Sequence, residues 1–165
     1  MDVARLKKVL IRHEGLRLKP YRDTVGKLTI GVGRNLEDRG ITKEEALFML
    51  HNDIKAVIEE LDRRIPWWRE LDDIRQEVLV NMAFNLGVPR LMRFKRFLSA
   101  LERRDYEKAA EEMLDSRWAE QVKRRAKELA YAMRHGKYPF EVKEERDELL
   151  EYLNNRVWKE LNEGW

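Results

Sequence analysis

Glu14, Asp23 and Thr29 carry the side chains in this chain best suited to chemistry. Glu14 closes an amphipathic helical pattern. Asp23 follows in a turn-prone stretch, and Thr29 stands in a glycine-punctuated strand pattern. Two carboxyl groups in different settings with a hydroxyl beside them can cleave a glycosidic bond with water. One must hand a proton to the leaving oxygen, while the other, ionised, activates water or attacks carbon. The end of a helix, with Leu10 and Leu16 near in sequence to exclude water, suits Glu14 as the proton donor. A polar turn between Arg22 and Thr24 suits Asp23 as the ionised partner. Thr29, on the small-residue face of its strand, could hold a water against Asp23. Gly26, Gly31 and Gly33 would let the backbone turn and a sugar chain come close. Spacing alone leaves the opposite reading open, since isolated carboxylates in a chain with 39% charged residues are ordinarily solvated surface groups.

The elements that must position these groups read mostly as helices. Val3, Leu6, Leu10 and His13 recur at helical spacing, which predicts a helix over 2–13 packed on one face, with Gly15 as its stop. Pro20 to Gly26 reads as turn. Leu28, Ile30 and Val32 alternate with Thr29, Gly31 and Gly33, a strand pattern that predicts half of a hairpin and the only β structure of note. Thr42 and Glu45 form a capping box opening a helix that runs to about Arg64, before Pro66. Asp72 and Asp73 cap a nearly all-round apolar helix ending at Gly87 and Pro89, and three more helices are expected at about 90–102, 105–114 and 116–135. The stretch 138–165 predicts a further charged helix. The fold class is therefore α+β, predominantly α, in a single domain of 165 residues.

Composition narrows the functions. Cysteine is absent and the three histidines are far apart, so neither a disulfide framework nor a zinc site is expected; no metal or cofactor is implied. The opening MDVARLKKVL lacks the apolar core of a secretory signal, and no run approaches the roughly 18 apolar residues of a membrane span. The product is thus expected in the cytosol of the producing cell, as a monomer without membrane insertion. Residues 90–137 hold 14 basic against 8 acidic side chains, which favours a polyanionic partner. The acids are interspersed and no base-reading motif is present, so an anionic cell wall fits better than nucleic acid.

The ordered strings HEGLRLKPYRDT, GKLTIGVGRNL, ITKEEA, VLVNMAFNLG and MLDSRWAEQVKRRA, within roughly residues 3 to 136, resemble the phage-type lysozymes, the muramidases of tailed bacteriophages. The resemblance implies a small β-hairpin lobe (about 15–60, with a connecting helix), a helical lobe (1–14 and 61–137), and peptidoglycan bound between them. It implies hydrolysis of the β-1,4 bond between N-acetylmuramic acid and N-acetylglucosamine. The family's general acid falls on Glu14, its second carboxylate on Asp23 and its water-positioning threonine on Thr29. Inversion is implied, which requires carboxyl groups roughly 6.5–9.5 Å apart. A lytic transglycosylase, or a wall-binding module without turnover, is the alternative.

Substrate-binding positions implied by the same resemblance are Asn35, Phe84, Asn85 and Arg125. Phe84 equally fits the core, the reading we favour. Arg125 matches an arginine that approaches the catalytic glutamate. The family often has histidine where this chain has Arg34, paired with an acid that falls on Asp53, so an Arg34–Asp53 ion pair is expected, worth about 0–1 kcal/mol. The connection from Asn35 to the next helix is short, which suggests an open cleft. Residues beyond about 137 match no family pattern.

Overall fold

The computed structural model describes residues 1–143, 147 and 151. The charged helix expected over 138–165 lies almost wholly outside the described residues. The described chain forms two compact units, one of residues Met1–Met49 and one that starts at Leu50.

In the first unit, helix α1 (Val3–Glu14) begins where the Asp2 carboxylate accepts the Arg5 amide at 2.9 Å and ends at Gly15. Gly15 adopts φ 79° and returns its amide to the Ile11 carbonyl at 2.8 Å, so Glu14 is the last helical residue. The expected packed face is absent: α1 buries no residue.

Three antiparallel strands follow in the order β1 (Arg17–Arg22), β2 (Leu28–Gly31) and β3 (Arg34–Asn35). Strand β1 corrects the reading of Pro20 as turn. Tyr21 pairs with Thr29 and Arg22 with Leu28, while Arg17 pairs with Gly31, so the register shifts across the segment containing Pro20. A proline has no amide to give a ladder, and an edge strand with a bulge accommodates it. On β2 the alternation also resolves differently. Thr29 is 3% exposed, whereas Leu28 and Ile30 are half-buried and Val32 is exposed.

Helix α2 (Lys43–Arg64) opens with the capping box: the Glu45 amide donates to Thr42 Oγ1 at 3.2 Å and the Thr42 amide to Glu45 Oε2 at 2.9 Å. The division between units falls inside this helix, after Met49.

The second unit continues through a 3-10 turn (Pro66–Glu70) into α3 (Asp73–Leu86), capped by Asp72. Then come α4 (Val88–Leu91), α5 (Lys95–Glu102), α6 (Tyr106–Leu114), α7 (Arg117–Val122) and α8 (Arg124–His135). Two expected helices are thus broken in two. The second break, at Lys123 with φ 44°, has no glycine or proline to announce it. Among the described residues, every buried apolar side chain lies between Leu61 and Met133. Leu79 and Met82 of α3, Met113 of α6 and Met133 of α8 are fully enclosed. No helix among the described residues is long and apolar enough to cross a membrane.

Candidate active site

The first unit holds Glu14, Asp23 and Thr29 together with Arg34 and Asn35. Asp23 begins the turn from β1 to β2. Its amide donates to the Lys27 carbonyl at 2.9 Å and its carbonyl accepts the Gly26 amide at 3.0 Å. Its Oδ1 accepts two further amides, from Val25 at 3.0 Å and Lys27 at 2.8 Å. The carboxylate is therefore fixed through one oxygen, and Oδ2 has no protein donor among the described residues. Arg22 does not serve it, contrary to expectation. The Arg22 guanidinium donates to the Gly26 carbonyl at 2.9 Å and to Glu37 at 3.0 Å. Glu37 also accepts the Leu28 amide at 2.9 Å, and that bond is the main cause holding its carboxyl below the usual range.

Thr29 joins the same framework through Lys27. The Thr29 hydroxyl donates to the Lys27 carbonyl at 2.9 Å, while the Lys27 amide donates to Asp23. The Lys27 backbone thus lies between carboxylate and hydroxyl and sets their relative position. With its proton committed, the Thr29 oxygen can only accept from a further partner. Nothing in the sequence marks Lys27 for this role except its place in a turn.

Glu14 has a different support. Gly33 adopts φ 65°, and a Cβ built there would stand 2.8 Å from Glu14 Oε2 and 3.1 Å from its Cδ. The missing side chain at position 33 is the space that the carboxyl occupies. Gly31 shares the left-handed conformation, with φ 70°, but a Cβ there meets nothing within 4 Å. The expected apolar shield is not present: Leu10 is 44% and Leu16 58% exposed, and Glu14 itself is exposed.

Arg34 corrects another expectation. Its guanidinium donates both Nη atoms to the two oxygens of Glu45 at 2.7 Å, and Nη1 also reaches the Gly40 carbonyl at 3.2 Å. Asp53 is not its partner. Eight residues of helix at about 1.5 Å each place Asp53 about 12 Å further along α2 than Glu45. The forked pair with Arg34, aided by the Thr42 amide, lowers Glu45 to about 2. Asn35 is turned inward on its own loop, exchanging hydrogen bonds with Asp38 at 2.9 Å each way.

The remaining expected positions lie in the second unit. Phe84 is 42% exposed rather than core, because α3 turns that face to a cavity of about 650 Å³. Asn81, Glu77, Arg125 and Tyr138 also line it. Burial, and then the Asp73 charge, raise the Glu77 carboxyl. Arg125 is held by Asn81, with Nη2 at 2.7 Å and Nε at 2.9 Å from Oδ1. Asn85 accepts the indole of buried Trp118 at 2.8 Å, which makes it a helix-to-helix strut. Among the described residues, no three His, Cys, Asp or Glu side chains gather where they could hold a metal ion.

The first unit thus holds a carboxyl at a helix end, a backbone-anchored carboxylate and an accepting hydroxyl on a small antiparallel sheet. The phage lysozyme family model matches residues 11–133. The chain is 31% identical to the pre-baseplate central spike protein of Enterobacteria phage T4, over 82% of this chain and 29% of that one. It is 26% identical to Probable T4-type lysozyme 1 of Dictyostelium discoideum, over 81% of this chain and 96% of that one. A SAR-endolysin of Escherichia phage Mu is 32% identical over 66% of this chain and 63% of its own length. The chain thus spans less than a third of the spike protein but nearly all of the T4-type lysozyme. It belongs to the phage lysozyme family of glycoside hydrolases.

Proposed function

We propose that this protein hydrolyses the β-1,4 bond between N-acetylmuramic acid and N-acetylglucosamine in bacterial peptidoglycan, with inversion, as a monomer. Glu14 protonates the departing glycosidic oxygen. Asp23 takes one proton from a water whose other hydrogen stays on its oxygen and is hydrogen-bonded to Thr29 Oγ1, and the water oxygen bonds to the anomeric carbon as the glycosidic bond breaks. Both products are released with hydroxyl groups and the two carboxyls exchange protons with solvent before the next turnover.

The observation that carries this reading is the Asp23–Lys27–Thr29 framework. It fixes a carboxylate and an acceptor oxygen from one residue's backbone, as a water-directing pair requires. A transglycosylase needs no such pair, because no water enters its first step. Digestion of peptidoglycan by wild type and Glu14→Gln, followed by mass spectrometry, tests it. Wild type is expected to give reducing muropeptides and the variant to lose about 10²–10⁴-fold in rate. Products lighter by one water, or a Glu14→Gln variant of undiminished rate, would refute the assignment.

A further inference from the structure

Residues 90–104 carry six basic side chains and one acid, Glu102. Some basic groups in and beside this run are neutralised by neighbours: Arg104 meets Glu70 at 3.1 Å, and Lys108 meets Glu112 at 3.2 Å. Arg93, Lys95, Arg96 and Arg103 have no carboxylate partner among the described residues, and all four are exposed. Positions 95, 99 and 103 fall on one face of a helix at i, i+4 and i+8. Arg103 donates to the Ser99 hydroxyl at 2.7 Å, which closes the stripe. Arg96 stands near enough to Lys108 to oppose its charge. A fold that gathers like charges this way stores repulsion that an anion would relieve.

The surface there is concave. Two depressions of about 380 and 320 Å³ adjoin, sharing Lys95, Arg96 and Glu112. The first extends to Ser99 and Arg103, the second to Arg93 and Asp115. Glu112 is already paired with Lys108, so among the described residues Asp115 is the only lining acid outside an ion pair.

We propose that this face binds a linear phosphodiester polymer, one negative charge per repeat, lying through both depressions. The surroundings select that chemistry. The two rings that line the second depression are withdrawn, Phe97 buried and Phe94 half-buried beside Trp118, so neither offers the fully open face on which a nucleic-acid base stacks. Between Val88 and Ser116, Leu114 is the one exposed large apolar side chain, too little for an anchor that inserts into a bilayer. A flat headgroup surface does not enter a groove, whereas a flexible chain does. The setting in which such a polymer would be met, the bacterial wall, rests on the proposed activity; the binding itself does not involve Glu14 or Asp23.

The test is fluorescence anisotropy of labelled poly(glycerol phosphate) with the full chain, against Arg93→Gln/Lys95→Gln/Arg96→Gln. The triple variant is expected to bind at least tenfold more weakly. Its slope of log K against log salt should fall by about 2, at roughly 0.7 for each phosphate that is no longer neutralised on a single-stranded polyanion. Arg93→Lys/Arg96→Lys keeps the charge and should bind as wild type. Hydrolysis of peptidoglycan stripped of phosphate polymers should be unchanged in both variants, which separates this inference from the activity. Wild-type affinity in the triple variant would overturn it. So would tighter binding of a DNA duplex or of anionic phosphatidylglycerol vesicles than of the polymer.

Discussion

The space above Gly33 offers a quantitative test of how Glu14 is held. Gly33→Ala places a methyl 2.8 Å from Glu14 Oε2, 3.1 Å from Cδ and 3.3 Å from Cγ. Ordinary contact between such atoms is about 3.5–4.0 Å, so the carboxyl must retreat by about 0.5–1 Å. A displacement of about 1 Å in a reacting group costs on the order of 10²-fold in rate. The substitution also carries a backbone penalty of about 1–2 kcal/mol, because alanine is forced to φ 65°. For a chain of this size, that lowers the melting temperature by about 2–8 °C. Gly31→Ala separates the two effects. It has nearly the same φ, 70°, and an open surround. Both variants should lose similar stability in thermal melts, while only Gly33→Ala should lose about 10–100-fold in release of reducing ends from peptidoglycan. Equal activity in the two alanine variants would refute the argument that the gap at position 33 serves Glu14.

Thr29→Val keeps the shape but removes the hydroxyl that bonds to Lys27, and should lower kcat, while Thr29→Ser retains most of it; equal rates for valine and serine would exclude the hydroxyl from the water-directing step. Glu45 is held at about 2, below its ordinary 4.5, so its stabilising interactions are complete above pH 4.5 and fade as pH falls toward 2. Acid-unfolding curves should therefore show a shallower loss in that window for Glu45→Gln than for wild type. Asp62, also held at about 2 by Arg69 and Trp68, contributes equally to both and cancels in the difference. Phe84→Ala should cost about 1 kcal/mol or less in chemical denaturation, since the ring is 42% exposed. A loss of about 3–5 kcal/mol, the range for a buried phenylalanine, would restore the core reading.

Helices α1, α2 and α3 were legible because their determinants are local. Asp2, the Thr42–Glu45 box and Asp72 cap them, and Gly15 and Gly87 end two of them. Strand β1 was not legible: with Pro20 and three basic residues in six, it becomes a strand only by pairing with β2. The break at Lys123 likewise has no residue type to betray it. Charge alone could not choose the partner of Arg34, because Glu45 and Asp53 both lie on α2; reach along the helix decides it.

By itself, the amino-acid order determined the residue types with chemical capacity, the helical caps and the family strings, all of which are local properties of composition and spacing. Only the tertiary structure decided that Lys27 ties Asp23 to Thr29, that Gly33 vacates space for Glu14, and that Phe84 faces a cavity. Each of these depends on which backbone atoms lie within a few ångströms of a side chain. Hydrogen bonds and excluded volume act at that range in space, whatever the distance along the chain.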